Sequence, residues 1–84
     1  MNSTHRKTLA AIFLQPTSPA IKWRRIEALL MALGSVLIEG DGSRVSFTLN
    51  NEKADFHRPH PGKDAKRYQV RNAMDFLTRA GVTP

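Results

Sequence analysis

The segment from Ser43 to His57 constrains this chain most. Val45, Phe47 and Leu49 alternate with Arg44, Ser46 and Thr48, and Ala54 and Phe56 alternate with Asp55 and His57 beyond Asn50-Asn51. A period of two belongs to a half-buried strand. Asn tolerates the positive φ that both central residues of a type I′ hairpin turn require. A two-residue loop at 50–51 then pairs Leu49 with Glu52, Phe47 with Ala54 and Val45 with Phe56 on one face. It pairs Thr48 with Lys53, Ser46 with Asp55 and Arg44 with His57 on the other. A three-residue loop would set Phe47 opposite Asp55 and mix the faces, which a sheet buried on one side penalises. A four-residue loop keeps the faces apart but sets Arg44 opposite Pro59, so the two-residue register is adopted.

Flanking elements complete the fold. Ile21–Leu33 carries Trp23, Ile26, Leu30 and Leu33 at helical spacing, with Leu29 beside them, and Gly34 stands at the expected stop. The Trp23 stripe reads as core rather than as a platform for stacking bases. Val36–Glu39 is a short strand closed by Gly40-Asp41-Gly42. Arg58-Pro59-His60-Pro61-Gly62 is a loop, and a second helix runs from Arg67 to Ala80 with Val70, Ala73, Met74 and Leu77 inward. Its outer row is Arg67, Arg71, Asp75 and Arg79, and Gly81 ends it. The expectation is an α+β fold in the order α-β-β-β-α, a three-stranded antiparallel sheet with both helices on one face. Residues 1–20 read as an extension and linker to a domain at 21–82. In them Thr8–Leu14 reads as a short helix capped by Thr8, in preference to the strand that Ile12 and Phe13 also suit; Gln15–Pro19 is linker, and His5 falls in a frayed terminus.

At 84 residues the chain has room for one small domain, too little for a doubly wound cofactor sheet or a barrel enzyme. No cysteine is present, which removes disulfides and Cys-based zinc sites and fits a reducing compartment. The apolar runs are too short for a membrane span, and the first residues lack the apolar core of a signal peptide. A cytoplasmic domain acting without cofactor, metal or membrane is expected.

Charge supplies the functional clue. Thirteen Lys and Arg stand against seven Asp and Glu, a net charge of +6. The excess is concentrated between His57 and Arg71, where Arg58, Lys63, Lys66, Arg67 and Arg71 face the single acid Asp64. Such a segment suits a polyanion, nucleic acid first among them, although it also serves plain solubility. With both helices on one side, the reverse of the sheet is open and collects Arg44, Ser46, Thr48, Lys53, Asp55 and His57. The loop and the basic start of the second helix lie at its edge, and a positive φ at Gly62 would turn backbone N–H groups toward an anion. The face has no aromatic residue for stacking except Tyr68, so recognition of RNA by shape and backbone fits best. The RNA-binding candidates are therefore Arg44, Lys53, Arg58, Lys63, Lys66, Arg67 and Arg71.

For catalysis the chain offers histidines. Cleaving RNA without a metal needs a base for the 2′-hydroxyl proton and an acid or cation for the departing and bridging oxygens, tasks that suit imidazole near neutral pH. His57 and His60 are the candidates, with Arg44, Arg58 and Lys63 able to stabilise phosphate charge. They read equally as ordinary loop histidines. A zinc site from Asp55, His57 and His60 matches no familiar ligand spacing, and no metal is expected.

Several segments together resemble the HicA family of toxins: Trp23-Arg24-Arg25-Ile26-Glu27-Ala28-Leu29-Leu30, Gly40-Asp41-Gly42-Ser43-Arg44-Val45-Ser46-Phe47, Phe56-His57-Arg58-Pro59-His60-Pro61-Gly62-Lys63, and the run from Val70 to Gly81. The resemblance covers about residues 22–82. It implies the fold of double-stranded-RNA-binding domains. It also implies an mRNA-cleaving toxin of a type II toxin–antitoxin pair, neutralised by a HicB-like antitoxin that covers the active face. One departure stands out. The resemblance puts the family's catalytic histidine after the glycine-serine pair, where this chain has Arg44, which stays protonated and cannot act as a base at pH 7. Either the chain binds RNA without cutting it, or His57, the cross-strand neighbour of position 44, has taken the task with Arg44 as phosphate clamp. A third reading is a basic subunit that docks an acidic partner.

Overall fold

A computed structural model describes all residues from Met1 to Pro84. Its elements are α1 (Ser3–Ile12), α2 (Trp23–Ala32), β1 (Val36–Glu39), β2 (Arg44–Leu49), β3 (Glu52–His57) and α3 (Arg67–Arg79). The strands form one antiparallel sheet in the order β1-β2-β3. Leu49 pairs with Glu52, Phe47 with Ala54, Val45 with Phe56 and Arg44 with His57, the register that the two-residue loop requires. Asn50 and Asn51 take φ of 51° and 65°, the left-handed values of a type I′ turn. Asn50 Nδ2 also donates to the Ala80 carbonyl at 2.7 Å, tying the turn to the end of α3.

The alternation decides which face is buried. Val45, Phe47, Leu49 and Phe56 point into a core completed by Trp23, Ile26, Leu29 and Leu30 of α2 and Val70, Ala73, Phe76 and Leu77 of α3. Phe56 packs between Trp23 and Phe47, with ring centroids 5.2 and 6.0 Å away. Trp23 is thus core, as its spacing implied. Helix α2 begins at Trp23 rather than Ile21 because the residues before it are drawn into an extended pairing. The Trp23 N–H donates to the Lys63 carbonyl at 2.9 Å and the Ala65 N–H to the Ile21 carbonyl at 2.7 Å.

Helix α1 corrects two expectations. It starts at Ser3, not Thr8, because Asn2 caps it: Asn2 Oδ1 accepts the His5 N–H at 2.8 Å. Thr8 lies mid-helix, its hydroxyl donating to the Thr4 carbonyl at 3.0 Å. His5 is half-buried within the helix rather than frayed. The cause is tertiary. Leu9 and Ile12 sit in the same core as α2 and α3, against which α1 packs, and that burial holds a helix too short to persist alone. No helix is long and apolar enough to cross a membrane.

Candidate nucleic-acid interface and catalytic pair

The sheet face away from the helices carries three cross-strand rows. Val36, Thr48 and Lys53 form one, Ile38, Ser46 and Asp55 the next, and Arg44 and His57 the last, beside Gly40. Gly40 packs tightly against this row: a Cβ there would lie 3.0 Å from that of Arg44, so Arg44 would have to give by a few tenths of an ångström. Its N–H donates to the Arg44 carbonyl at 2.9 Å, which fixes the backbone of this row. Val36 and Ile38 are exposed on the face, a contribution of β1 that the sequence reading did not assign. The β1–β2 register was the missing information.

His57 is held from two sides. Its Nδ1 lies 3.3 Å from Ser43 Oγ, and its carbonyl accepts the Gln69 Nε2 at 2.5 Å. Gln69 is 2% exposed, and its Oε1 accepts the Lys66 N–H at 2.9 Å, so one buried amide joins the end of β3 to the start of α3. When Nδ1–H donates to Ser43, Nε2 presents its lone pair and can take a proton. Next to this pair, Ser46 Oγ donates to Asp55 at 2.5 Å. That bond holds the Asp55 carboxyl below the usual range; desolvation opposes it, and the charges of Lys53 and then Arg44 add to the lowering.

Arg58 has a different environment from its neighbour. One residue along the chain from His57, it turns to the helix side. Its guanidinium binds Glu27 of α2 at 2.9 and 3.1 Å and Glu39 of β1 at 2.7 and 3.0 Å. Glu27 also accepts Trp23 Nε1–H at 3.0 Å. The hydrogen bond from Arg58 holds the Glu39 carboxyl below its usual range, and those to Glu39 and Glu27 push the Arg58 guanidinium above its own. The strand period, carried one residue past His57, already separates the two side chains. The acidic partners, 31 and 19 residues away, carried no local signal.

The remaining cations divide. Arg44 and Lys53 are on the open face. Lys63 lines a groove of about 520 Å³ with Lys22, Trp23, Arg24, Arg58, Pro59 and Gly62. Lys66 is exposed at the start of α3, and His60 is exposed on the loop. Arg67 reaches back to the α1–α2 linker, where its Nε donates to the Thr17 carbonyl at 3.4 Å, and Arg71 is exposed one turn further along α3. Gly62 does not adopt positive φ, contrary to expectation. The chain beyond it runs into the pairing of 63–65 with 21–23, and the Lys66 N–H is already taken by Gln69. Asp55, His57 and His60 form no metal-binding group, and no three His, Asp or Glu side chains converge anywhere.

Ion pairs concentrate the positive charge. Five of the seven acids are spent on three cations, Lys22, Arg58 and Arg79; the other ten Lys and Arg have no ionic partner. The surface that solvent and ligands meet is therefore strongly cationic.

A family model described as HicA toxin of bacterial toxin-antitoxin covers residues 23–82, from the start of α2 past the end of α3. No curated protein and no solved structure matches the chain.

Proposed function

The chain belongs to the HicA family of toxins of bacterial toxin–antitoxin systems, and from that membership we propose that it acts on mRNA as a ribosome-independent endoribonuclease, held in check by a HicB-like antitoxin that covers the open sheet face. The observation that carries the reading is the pairing of His57 with Arg44 across β2 and β3 on the exposed face. Opposed residues of an antiparallel pair have Cβ atoms roughly 5 Å apart. One phosphodiester can therefore meet both side chains.

In this mechanism Arg44 and Lys53 bind the backbone phosphates. His57 Nε2 takes the proton of the ribose 2′-hydroxyl. The 2′-oxygen forms its bond to phosphorus as the bond to the 5′-oxygen breaks, and the charge that develops on the phosphoryl oxygens falls to the Arg44 guanidinium. His60, exposed on the loop, is the group assigned to protonate the leaving 5′-oxygen, which gives a cyclic phosphate and a 5′-hydroxyl. Ser43 and Gln69 orient the base through its Nδ1 and its carbonyl.

The test is cleavage of a single-stranded mRNA fragment by purified protein in EDTA. The expected result is cutting by wild type and a loss of about 10²–10⁴ in rate for His57→Ala, the range for removing a general base. Cleavage by His57→Ala at the wild-type rate overturns the assignment. A second reading, a non-catalytic RNA-binding module, is favoured by Arg44 itself, a guanidinium with no acceptor nitrogen at the position where the resemblance expects a base. RNA binding without cleavage by wild type and variant alike would establish it.

A further inference from the structure

A cavity of about 450 Å³ opens between α1 and the start of α2. Lys7 and Thr4 of α1 line it together with Lys22 and Arg25, and no acidic side chain does. Lys7 and Arg25 have no ionic partner. Lys22 is shared: it also walls the groove that holds Arg24 and Lys63 and reaches the loop next to His57. The two hollows thus adjoin through one side chain.

From this adjacency we propose a second, extended phosphate-binding track that leads from the open sheet face, over the 58–63 loop, past Lys63 and Arg24, across Lys22, which is itself paired with Asp64 at 2.8 Å, and into the α1 cavity at Arg25 and Lys7. The occupant is the sugar-phosphate backbone of the same RNA strand, so the inference rests on the RNA reading above and extends its footprint. Three features support a nucleic acid over an acidic protein. The cations are strung along connected hollows rather than gathered around one point, which suits a charge repeated along a chain. None of the exposed large apolar side chains, among them Val36, Ile38 and Met31, lines either hollow, and apolar anchors are what a protein partner would need. Threonine hydroxyls and Lys or Arg side chains are the groups that ordinarily contact phosphate and sugar. Lys7 and Lys22 precede the segment matched to the family, and Lys7 stands on a helix that lies wholly outside it. The α1 end of the track therefore lies outside the matched segment, while Arg24, Arg25 and Lys63 lie within it.

The experiment measures RNA affinity against salt for a short oligonucleotide of about four nucleotides and a long one of about sixteen, the span of footprints known for single-strand binders. Wild type is compared with Lys7→Gln/Arg25→Gln and with the charge-conserving Lys7→Arg/Arg25→Lys. Both residues lack ionic partners, and circular dichroism checks that the fold is kept. On the long RNA the neutral pair is expected to lose about 1.4 units of log–log salt slope, two phosphates at about 0.7 each. Raising salt from about 50 to about 200 mM would then cost it about sevenfold less affinity than wild type. The short RNA and the charge-conserving pair should match wild type. An unchanged slope for the neutral pair on long RNA overturns the track while wild-type binding keeps the RNA reading intact. Loss of antitoxin binding by the neutral pair with the RNA slope unchanged also overturns it, in favour of a protein at this site. No salt-dependent binding of either RNA by wild type overturns the RNA reading itself, and the track with it.

Discussion

Gln69 offers the sharpest test of how the fold presents His57. Its side chain is 2% exposed, and both ends of the amide are used, on the Lys66 N–H and the His57 carbonyl. Gln69→Leu keeps the approximate volume and removes both bonds. Each lost hydrogen bond is worth about 1 kcal/mol, and a buried group left without a partner costs about 1–3 kcal/mol. Lys66 and His57 are themselves exposed, so water reaches part of what is orphaned. The lower end applies, about 2 kcal/mol in all. For a domain of this size that lowers Tm by about 8–16 °C. Gln69→Glu separates the two bonds. It keeps an acceptor for Lys66, but at neutral pH it sets a carboxylate oxygen against the His57 carbonyl. Protonation restores a donor, so the carboxyl has a raised pKa in the folded state. Stability relative to wild type should then rise as the pH falls through that value. Urea unfolding of both variants and wild type at about pH 7 and about pH 5 measures this. Gln69→Leu within about 0.5 kcal/mol of wild type, the usual range for an inconsequential surface change, would refute the bridge. So would Gln69→Glu showing the same deficit at both pH values.

Other outcomes follow from the same geometry. Glu39 and Asp55 both have carboxyls held below the usual range, so the unfolded chain takes up their protons first on acidification. Stability is full above about pH 5 and falls as the pH drops through the carboxylate range; Glu39→Gln should flatten that acid limb, measured by urea midpoints across pH. Arg58→Met and Glu27→Gln should be non-additive by about 1 kcal/mol in a double-mutant cycle, because the fork between them is three-quarters withdrawn from water on the Glu27 side; additivity would deny the pairing. Asn51→Val places a β-branched residue at a φ of 65° and should cost about 1–2 kcal/mol, whereas Asn51→Gly should be tolerated; equal stability of the two would refute the turn type.

The hairpin was legible because its information is local. The period of two, the Asn50-Asn51 pair and the need to keep Phe47 off a polar partner select one register, and with it the pairing of Arg44 and His57. The helical stripes on α2 and α3 were legible for the same reason, while the family was legible through the resemblance of four separate segments. Less visible were the ends of elements. Asn2 and the docking of Leu9 and Ile12 extend α1 by five residues toward the N-terminus of its expected start, and the 21–23 pairing with 63–65 trims α2. A periodic pattern marks the middle of a helix better than its edges, where capping and long-range partners decide.

The candidate site divides along the same line. Which side chains share the open face is a matter of parity along a strand, and parity survives in a bare sequence. What each charged group faces is a matter of contacts between residues far apart in the chain. Arg58 and His57 look alike as basic loop neighbours, yet one reaches Glu27 and Glu39 on the helix side while the other stays exposed on the sheet. The cavity at Lys7, Lys22 and Arg25 exists only because α1 folds back onto the helices. Sequence alone determined the order of elements and the β2–β3 register, because short-range periodicity and turn chemistry encode them, and its motif segments carried the family resemblance. Only the tertiary structure decided which cations keep their charge free, because that depends on where distant carboxylates come to rest.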